Sequence, residues 1–296
     1  MRLYRARCEK RWVIMYKIRP LRMSDLEDVL EIARNTWDGY DYLPYSFDSW
    51  MSDPNSHTAC IEQDGHVVAL ANLRVIENGK TGWMEGLRVH PKHRGKGLAS
   101  ALTNHVVKAG QDLGVHRLRY TTATENTESL HLGARIGMQR MFTLGVYWHE
   151  NPASTDWRHS TGPKIVTLAP EELAPLIERS DLIPHKVVVY DWKAVDASLE
   201  GLRSIAGFSK LWAQVRGDKL ESFSLGFSHE TRPGLEWSFS IYAQDKDAFL
   251  AHLSHHLQLA TMAKCVGLFV VFPQKFLEAL RGLDWIERHE DEDIGL

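Results

Sequence analysis

Cysteine is nearly missing from this chain: three in 296 residues, Cys8, Cys60 and Cys265, far apart and without metal-ligand spacing. So sparse and odd a set argues against a disulfide framework and for a reducing compartment. Cys60 lies in an apolar run and reads as a small buried hydrophobe. Long apolar runs are missing too, and none approaches the ~20 residues of a membrane span. Neither sign of charge dominates: 35 Lys and Arg stand against 38 Asp and Glu, a net −3. That balance argues against nucleic acid or an anionic membrane as partner. Residues 1–14 are basic (Arg2, Arg5, Arg7, Lys10, Arg11) but hold no serine, unlike an organelle address, and read as an extension. The expected location is the cytoplasm. Fifteen histidines scatter without a ligand pattern, so no metal is expected.

What is present is enough apolar material, 44% of residues, for two domains. A strand at 16–19 ends at Pro20, and Ser24-Asp25-Leu26-Glu27 reads as a capping box before a helix running to Trp37. Asp38 to Tyr45 reads as a polar, aromatic loop. Strands are expected at 58–63, 66–77 and 81–89, with turns at Asp64-Gly65 and Asn78-Gly79. A basic loop, His90 to Lys96, leads into a helix from Gly97, with Leu98, Leu102, Val106, Ala109 and Leu113 on its buried face. A strand at 116–122, a helix at 126–135 and a strand at 142–148 complete a first domain, 16–150. Residues 150–163 read as a linker.

The order then recurs over 164–296. Helices are expected at 170–179, 193–205, 246–263 and 273–283, and strands at 186–190, 210–215, 220–228, 235–243 and 266–272. The fold class expected is α+β (mixed α/β), two tandem copies of a mostly antiparallel sheet flanked by helices.

The most informative segment is Glu85-Gly86-Leu87-Arg88-Val89-His90-Pro91-Lys92-His93-Arg94-Gly95-Lys96-Gly97-Leu98-Ala99. A strand ends, a glycine loop turns and a helix starts. Gly95 and Gly97 let the backbone curl so that successive N–H groups face one anion, and the helix adds free amides and its dipole. The arrangement suits a pyrophosphate. It is not a dinucleotide fingerprint or a Walker loop, whose glycines stand elsewhere.

Arg94, Gly97 and Ala99 meet the Arg/Gln-x-x-Gly-x-Gly/Ala signature, and over roughly 16–148 the chain resembles the GNAT acetyltransferase superfamily. A closer resemblance, carried by Tyr40-Asp41-Tyr42-Leu43-Pro44 and Glu85-Gly86-Leu87-Arg88-Val89, is to the animal histidine N-acetyltransferase family. The resemblance implies acetyl-CoA as co-substrate, with Arg94, Gly95, Lys96, Gly97, Leu98 and Ala99 around its pyrophosphate. It further implies Leu87, Val89 and Asn126 along the pantetheine arm. The family often places its base where Glu85 stands, and acetyl transfer needs a neutral amine, so Glu85 is the catalytic candidate. The Val89 N–H is expected to polarise the thioester carbonyl. Many relatives carry a tyrosine where this chain has Gly133, which leaves water, His131 or a tyrosine of the 40–45 loop to protonate the thiolate. Trp37, Tyr40, Asp41 and Tyr42 are expected to shape the acceptor pocket, Asp41 holding a cation and the aromatics stacking on a ring.

In the second half Ala243-Gln244-Asp245 join strand to helix with no glycine or basic residue, so no phosphate site is expected, and Ser238 stands where Glu85 does. That half is expected to buttress the first, shape its pocket or pair two subunits as a homodimer. The function expected is transfer of acetyl to the amine of a small molecule, such as the α-amino group of free histidine. The alternatives are a protein N-terminal acetyltransferase and a non-catalytic acetyl-CoA-binding protein.

Overall fold

The computed structural model describes residues 16–36, 41–152, 164–231 and 233–283, and the backbone of 293–295. Trp37 and Tyr40, the basic extension and most of the linker lie outside the described residues. Packing divides the chain into one unit of residues up to Val75 with Met84–Gly114, and a second of Ile76–Trp83 with Val115 onward.

In the first unit, β1 (Lys17–Pro20) is followed by α1 (Leu26–Arg34) and α2 (Leu43–Ser52). Then come β2 (Ala59–Gln63), β3 (His66–Ile76), β4 (Thr81–Val89) and α3 (Leu98–Asp112). The strands lie in the order β1-β2-β3-β4, and Asp64 and Gly65 both take positive φ, as a tight Asp-Gly hairpin turn requires. Val67 to Leu73 of β3 are all buried, the mark of a strand covered on both faces.

Three sequence expectations change here. The helix before residue 34 is not capped by Ser24; a 3₁₀ turn precedes it, and Asp25 Oδ2 accepts the Arg22 N–H at 2.8 Å. Arg19 grips the same carboxylate through both Nη atoms, at 2.7 and 2.9 Å, and its hydrogen bonds hold Asp25 below the usual carboxylate range. Residues 43–45 are not loop but the start of α2, where Leu43, Phe47 and Trp50 face the core. Leu113 leaves the buried face of α3 and is exposed.

In the second unit, β5 (Arg117–Arg119), β6 (Thr122–Ala123), α4 (Thr127–Arg135) and β7 (Thr143–Glu150) come first. Thr81–Trp83, the start of β4, pairs in parallel with β5. Next are β8 (Val166–Thr167), α5 (Pro170–Glu178), β9 (Val187–Tyr190), β10 (Lys193–Asp196) and α6 (Leu199–Ala206). The expected helix at 193–205 is therefore a strand and a shorter helix. Asp191 at φ 52° turns the chain back as a hairpin, and Ser198 caps α6 by accepting the Gly201 N–H. The chain continues through β11 (Lys210–Arg216), β12 (Lys219–Thr231), β13 (Gly234–Ala243), α7 (Lys246–Met262), β14 (Gly267–Pro273), α8 (Leu277–Arg281) and β15 (Asp293–Gly295).

An eight-stranded sheet runs β6-β15-β7-β14-β13-β12-β11-β8. β13 and β14 are parallel with α7 as their crossover, as β4 and β5 are with α3. The recurrence in the sequence is thus a recurrence of strand pairing. β15 was not legible: it pairs with both β6 and β7, while β7 pairs with β14. Strands of the N-terminal and C-terminal segments therefore interleave within one sheet, and the packing units do not divide at 150–163.

Candidate active site

The loop after β4 is shaped by its glycines. Pro91–His93 form a 3₁₀ turn; Gly95 and Gly97 then take φ of 71° and 80°, the left-handed region that glycine enters without cost. Gly97 is the N-cap of the 15-residue α3 and supplies no side-chain cap. Among the described residues, the N–H groups of Gly95, Lys96, Gly97, Leu98, Ala99 and Ser100 find no acceptor in the protein. Arg94 differs, because its N–H is taken by Pro91 O at 3.3 Å. The loop is exposed, and Lys92, Arg94 and Lys96 carry its charge. His93 is pushed below its ordinary value by desolvation and by Lys96 and His90, so it adds little charge at neutral pH.

The second unit offers a contrast. At the start of α7, Asp245 Oδ1 accepts the Ala248 N–H at 2.9 Å, and the Gln244 N–H goes to Glu221 O. A helix N-terminus already capped by its own carboxylate repels an anion.

Glu85 stands on β4, its side chain only 9% exposed. Its Oε1 accepts from Asn72 Nδ2 at 2.9 Å, and Arg74 Nε lies 3.9 Å away. Asn72 is itself held by Thr58, whose hydroxyl donates to Asn72 Oδ1 at 2.9 Å. Gly86 follows at φ 68°, the left-handed region that glycine enters without cost. Its N–H donates to the Tyr42 hydroxyl at 3.0 Å, and a Cβ here would lie 2.2 Å from the Trp50 ring. The Leu87 carbonyl accepts from Arg88 Nη1 at 3.0 Å and the Val89 carbonyl from Arg94 Nε at 3.3 Å.

Asp41 does not await a cation. Its buried carboxylate accepts from Arg88 Nε at 2.9 Å and Nη2 at 3.1 Å, and from the Leu43 N–H at 3.2 Å. The physical reason is tertiary: β4 packs against the start of α2, where Gly86 bonds Tyr42 and Arg88 reaches Asp41. Tyr42 lies against the same guanidinium, 5.2 Å from ring centroid to Cζ. Its hydroxyl is pushed up to about 12 by desolvation, against the opposing pull of Arg88. The ring is still 37% exposed. Sequence reasoning missed Arg88, although it stands among the quoted motif residues, because nothing local pairs it with Asp41.

Asn126, in the second unit, caps α4 through Oδ1, which accepts the Ser129 N–H at 3.1 Å. Gly133 has a structural explanation: a Cβ there would lie 2.3 Å from the Tyr120 hydroxyl, which donates to Ser129 O at 3.3 Å. Tyr120 from the end of β5 fills the space beside α4 that a side chain at 133 would need. Desolvation raises its pKa, so it is neutral at physiological pH. Cys60 is fully buried, and desolvation pushes its thiol to about 11, which suits a core residue and not a nucleophile. No group of three or more metal-ligating side chains occurs among the described residues, and no described helix is long and apolar enough to cross a membrane.

Residues 23–138 match the acetyltransferase (GNAT) family. A human protein named probable N-acetyltransferase 16 is 30% identical over 214 residues, 64% of this chain and 56% of that one. Histidine N-acetyltransferase of Xenopus tropicalis is 27% identical over 59% of this chain and 58% of that one. The chain thus spans less than two thirds of the length of these relatives. Among solved structures, an acetyltransferase-fold protein from Thermoplasma acidophilum aligns with a TM-score of 0.59 at 16% identity, covering 95% of this chain and 98% of that one. One from Pyrococcus horikoshii gives 0.59 at 12% identity, over 95% and 89%. These two share the fold across both halves, not only across the matched family segment. The chain thus carries, over residues 23–138, a segment matched by the acetyltransferase (GNAT) family, and it is similar to the histidine N-acetyltransferases.

Proposed function

We propose that the protein transfers acetyl from acetyl-CoA to the α-amino group of a free amino acid, histidine being the first to test. The observation that carries the reading is the run of N–H groups from Gly95 to Ser100 without internal acceptors, at an uncapped helix start beside Lys96. That run fits a diphosphate, which needs many short donors and little side-chain reach. The likeness to histidine N-acetyltransferases supports the acceptor class.

Within this reading Glu85 takes the proton from the acceptor's ammonium, directly or through one water, leaving the neutral amine that attacks the thioester, and Asn72 fixes its carboxylate. The strand past Gly86 presents Leu87 and Val89 to the pantetheine arm. Asp41 holds Arg88 and so props the α2 start against β4. Asp41 and Tyr42 thus act on the pocket through Arg88 and Gly86. The departing thiolate takes its proton from water.

The test is a panel of free amino acids and short peptides with acetyl-CoA, read as thiol release. Turnover of L-histidine above every peptide is expected. A preference for peptides throughout would replace this reading with protein N-terminal acetylation, and acetyl-CoA binding without any turnover would leave a binding protein.

A further inference from the structure

The carboxylates of the second unit are mostly well matched. Asp196 of β10 accepts from Arg119 Nη1 at 2.7 Å and from Arg117, whose Nη2 also donates to Glu77 at 2.7 Å. Asp191 and Glu236, both at least half sheltered from solvent, stand outside this pattern. Asp191, at the tip of the β9–β10 hairpin, and Glu236 of β13 have no Lys or Arg nitrogen within 4.0 Å among the described residues. The Asp191 charge acts on Glu236, while Lys193 and His229 act on Asp191.

Glu236 is only 7% exposed. Its neighbours are neutral: His229, directly opposite on β12, has Nε2 3.5 Å from Oε1, and Trp148 of β7 donates its indole N–H. Gly267 of β14 lies beside both, and a Cβ there would touch Glu236 Oε2 and Trp148 Nε1 at 3.5 Å. Burial and the Asp191 charge push Glu236 up to about 7, while burial pushes His229 down. The carboxylates are thus destabilised as anions by a shortage of positive charge, which is what an entering cation corrects.

A separate observation points to the same place. Ser238 and Ser240 follow Glu236 on the same face of β13, both are 0% exposed, and neither hydroxyl has a hydrogen-bond partner. The two residues that flank them on that face both meet the hairpin: Tyr242 accepts the Val189 N–H at 2.8 Å, and Glu236 senses Asp191. The serine hydroxyls therefore point under the hairpin, into the row headed by Glu236. Buried hydroxyls without partners are rare and mark a place for a polar group from outside the chain. Aromatic surface adjoins it, with Trp148 54% exposed and Phe227 5.8 Å from the His229 ring. The hairpin tip is also tied to the segment after β5, since Thr121 Oγ1 donates to Trp192 O.

We propose that Glu236 and Asp191, with Ser238 beneath the hairpin, form a binding site for a small organic cation such as an imidazolium or ammonium group. The proposal rests on the acetyltransferase reading only in identifying that cation with part of the acceptor.

Calorimetric titration of the full chain with L-histidine and histamine, against L-phenylalanine as an aromatic amino acid without a basic ring, tests the site without any turnover. The wild type is expected to bind the two cations at least about tenfold more tightly than phenylalanine. Asp191→Asn and Glu236→Gln should each remove most of that difference, with acetyl-CoA affinity unchanged. Asp191→Asn is the safer variant for folding, because asparagine tolerates the φ of 52° at that turn. Binding no tighter than phenylalanine, or cation affinity unchanged in both variants, overturns the proposal. Cation binding that responds to the variants without acetyl transfer would sink the catalytic reading and leave this site standing. Transfer to histidine with an unaltered KM in both variants would do the reverse.

Discussion

Asn72 Nδ2 donates to Glu85 Oε1 at 2.9 Å, and Asn72 itself is completely buried. A glutamate aimed by a rigid neighbour is a better base than one free to rotate, because the proton transfer demands hydrogen-bond reach. Glu85→Gln is expected to lower kcat by roughly 10²–10⁴ near neutral pH, with the loss shrinking where the amine is already neutral. Asn72→Leu should lower kcat by about tenfold with little change in acetyl-CoA KM. A pH–rate profile of Glu85→Gln that overlays the wild type would remove Glu85 from the role.

Two glycines of the loop region separate backbone strain from crowding. Gly86→Ala places a methyl 2.2 Å from Trp50 at a φ of 68° and is expected to cost about 3 kcal/mol of stability. Gly97→Ala meets nothing within 4 Å at a φ of 80°, so only strain of about 1–2 kcal/mol is expected. Its main effect should be weaker acetyl-CoA binding. Urea unfolding of the two variants, beside acetyl-CoA titration, checks the ranking.

Gly133→Ala should destabilise the protein, because the new methyl meets the Tyr120 hydroxyl at 2.3 Å. Combining it with Tyr120→Phe removes that oxygen and is expected to recover part of the loss, a coupling a double-mutant cycle reads directly. Simple additivity of the two changes would show that they do not share the space.

Acid should loosen the second unit through the histidines of α7. Trp237 Nε1 donates to His256 Nδ1 at 3.2 Å, and His256 Nε2 lies 2.9 Å from Ser224 Oγ. Ser224 in turn meets His252 Nδ1 at 2.6 Å, His252 Nε2 meets Ser222 Oγ at 2.8 Å, and Ser222 donates to Gln214. Since the indole can only donate, every bond in the chain is made with both rings neutral. Burial pushes His252 down to about 3 and His256 well below its ordinary value. A depressed folded pKa means stability is full above about 6.5, the unfolded value, and is lost as pH falls from there toward 3. The expected slope reaches about 1.4 kcal/mol per pH unit for each histidine. A melting temperature that is the same at pH 7 and pH 5 would contradict this.

Local chemistry made part of this molecule readable. The turn at Asp64-Gly65, the strand–glycine–helix loop at Arg94–Ala99 and the repeated order of elements need only neighbours in the chain to be recognised. α2 was missed although Leu43, Phe47 and Trp50 have helical spacing, because Gly39, Pro44 and the tyrosines around them look like a turn. Nothing in the spacing of the scattered histidines singles out His256. The structure buries His256 completely, since Trp237 and Ser224 complete its hydrogen bonds from strands far away in sequence.

The sequence by itself determined where an anion-binding loop could form, because positive φ at glycine and free amides at a helix start are properties of a few consecutive residues. Tertiary structure alone decided the partners of the charges. It gave Asp41 to Arg88, set Tyr120 against Gly133, threaded β15 between β6 and β7, and left Asp191 and Glu236 without a cation. Charge pairing and close packing depend on which distant segments meet, and no spacing along the chain encodes that meeting.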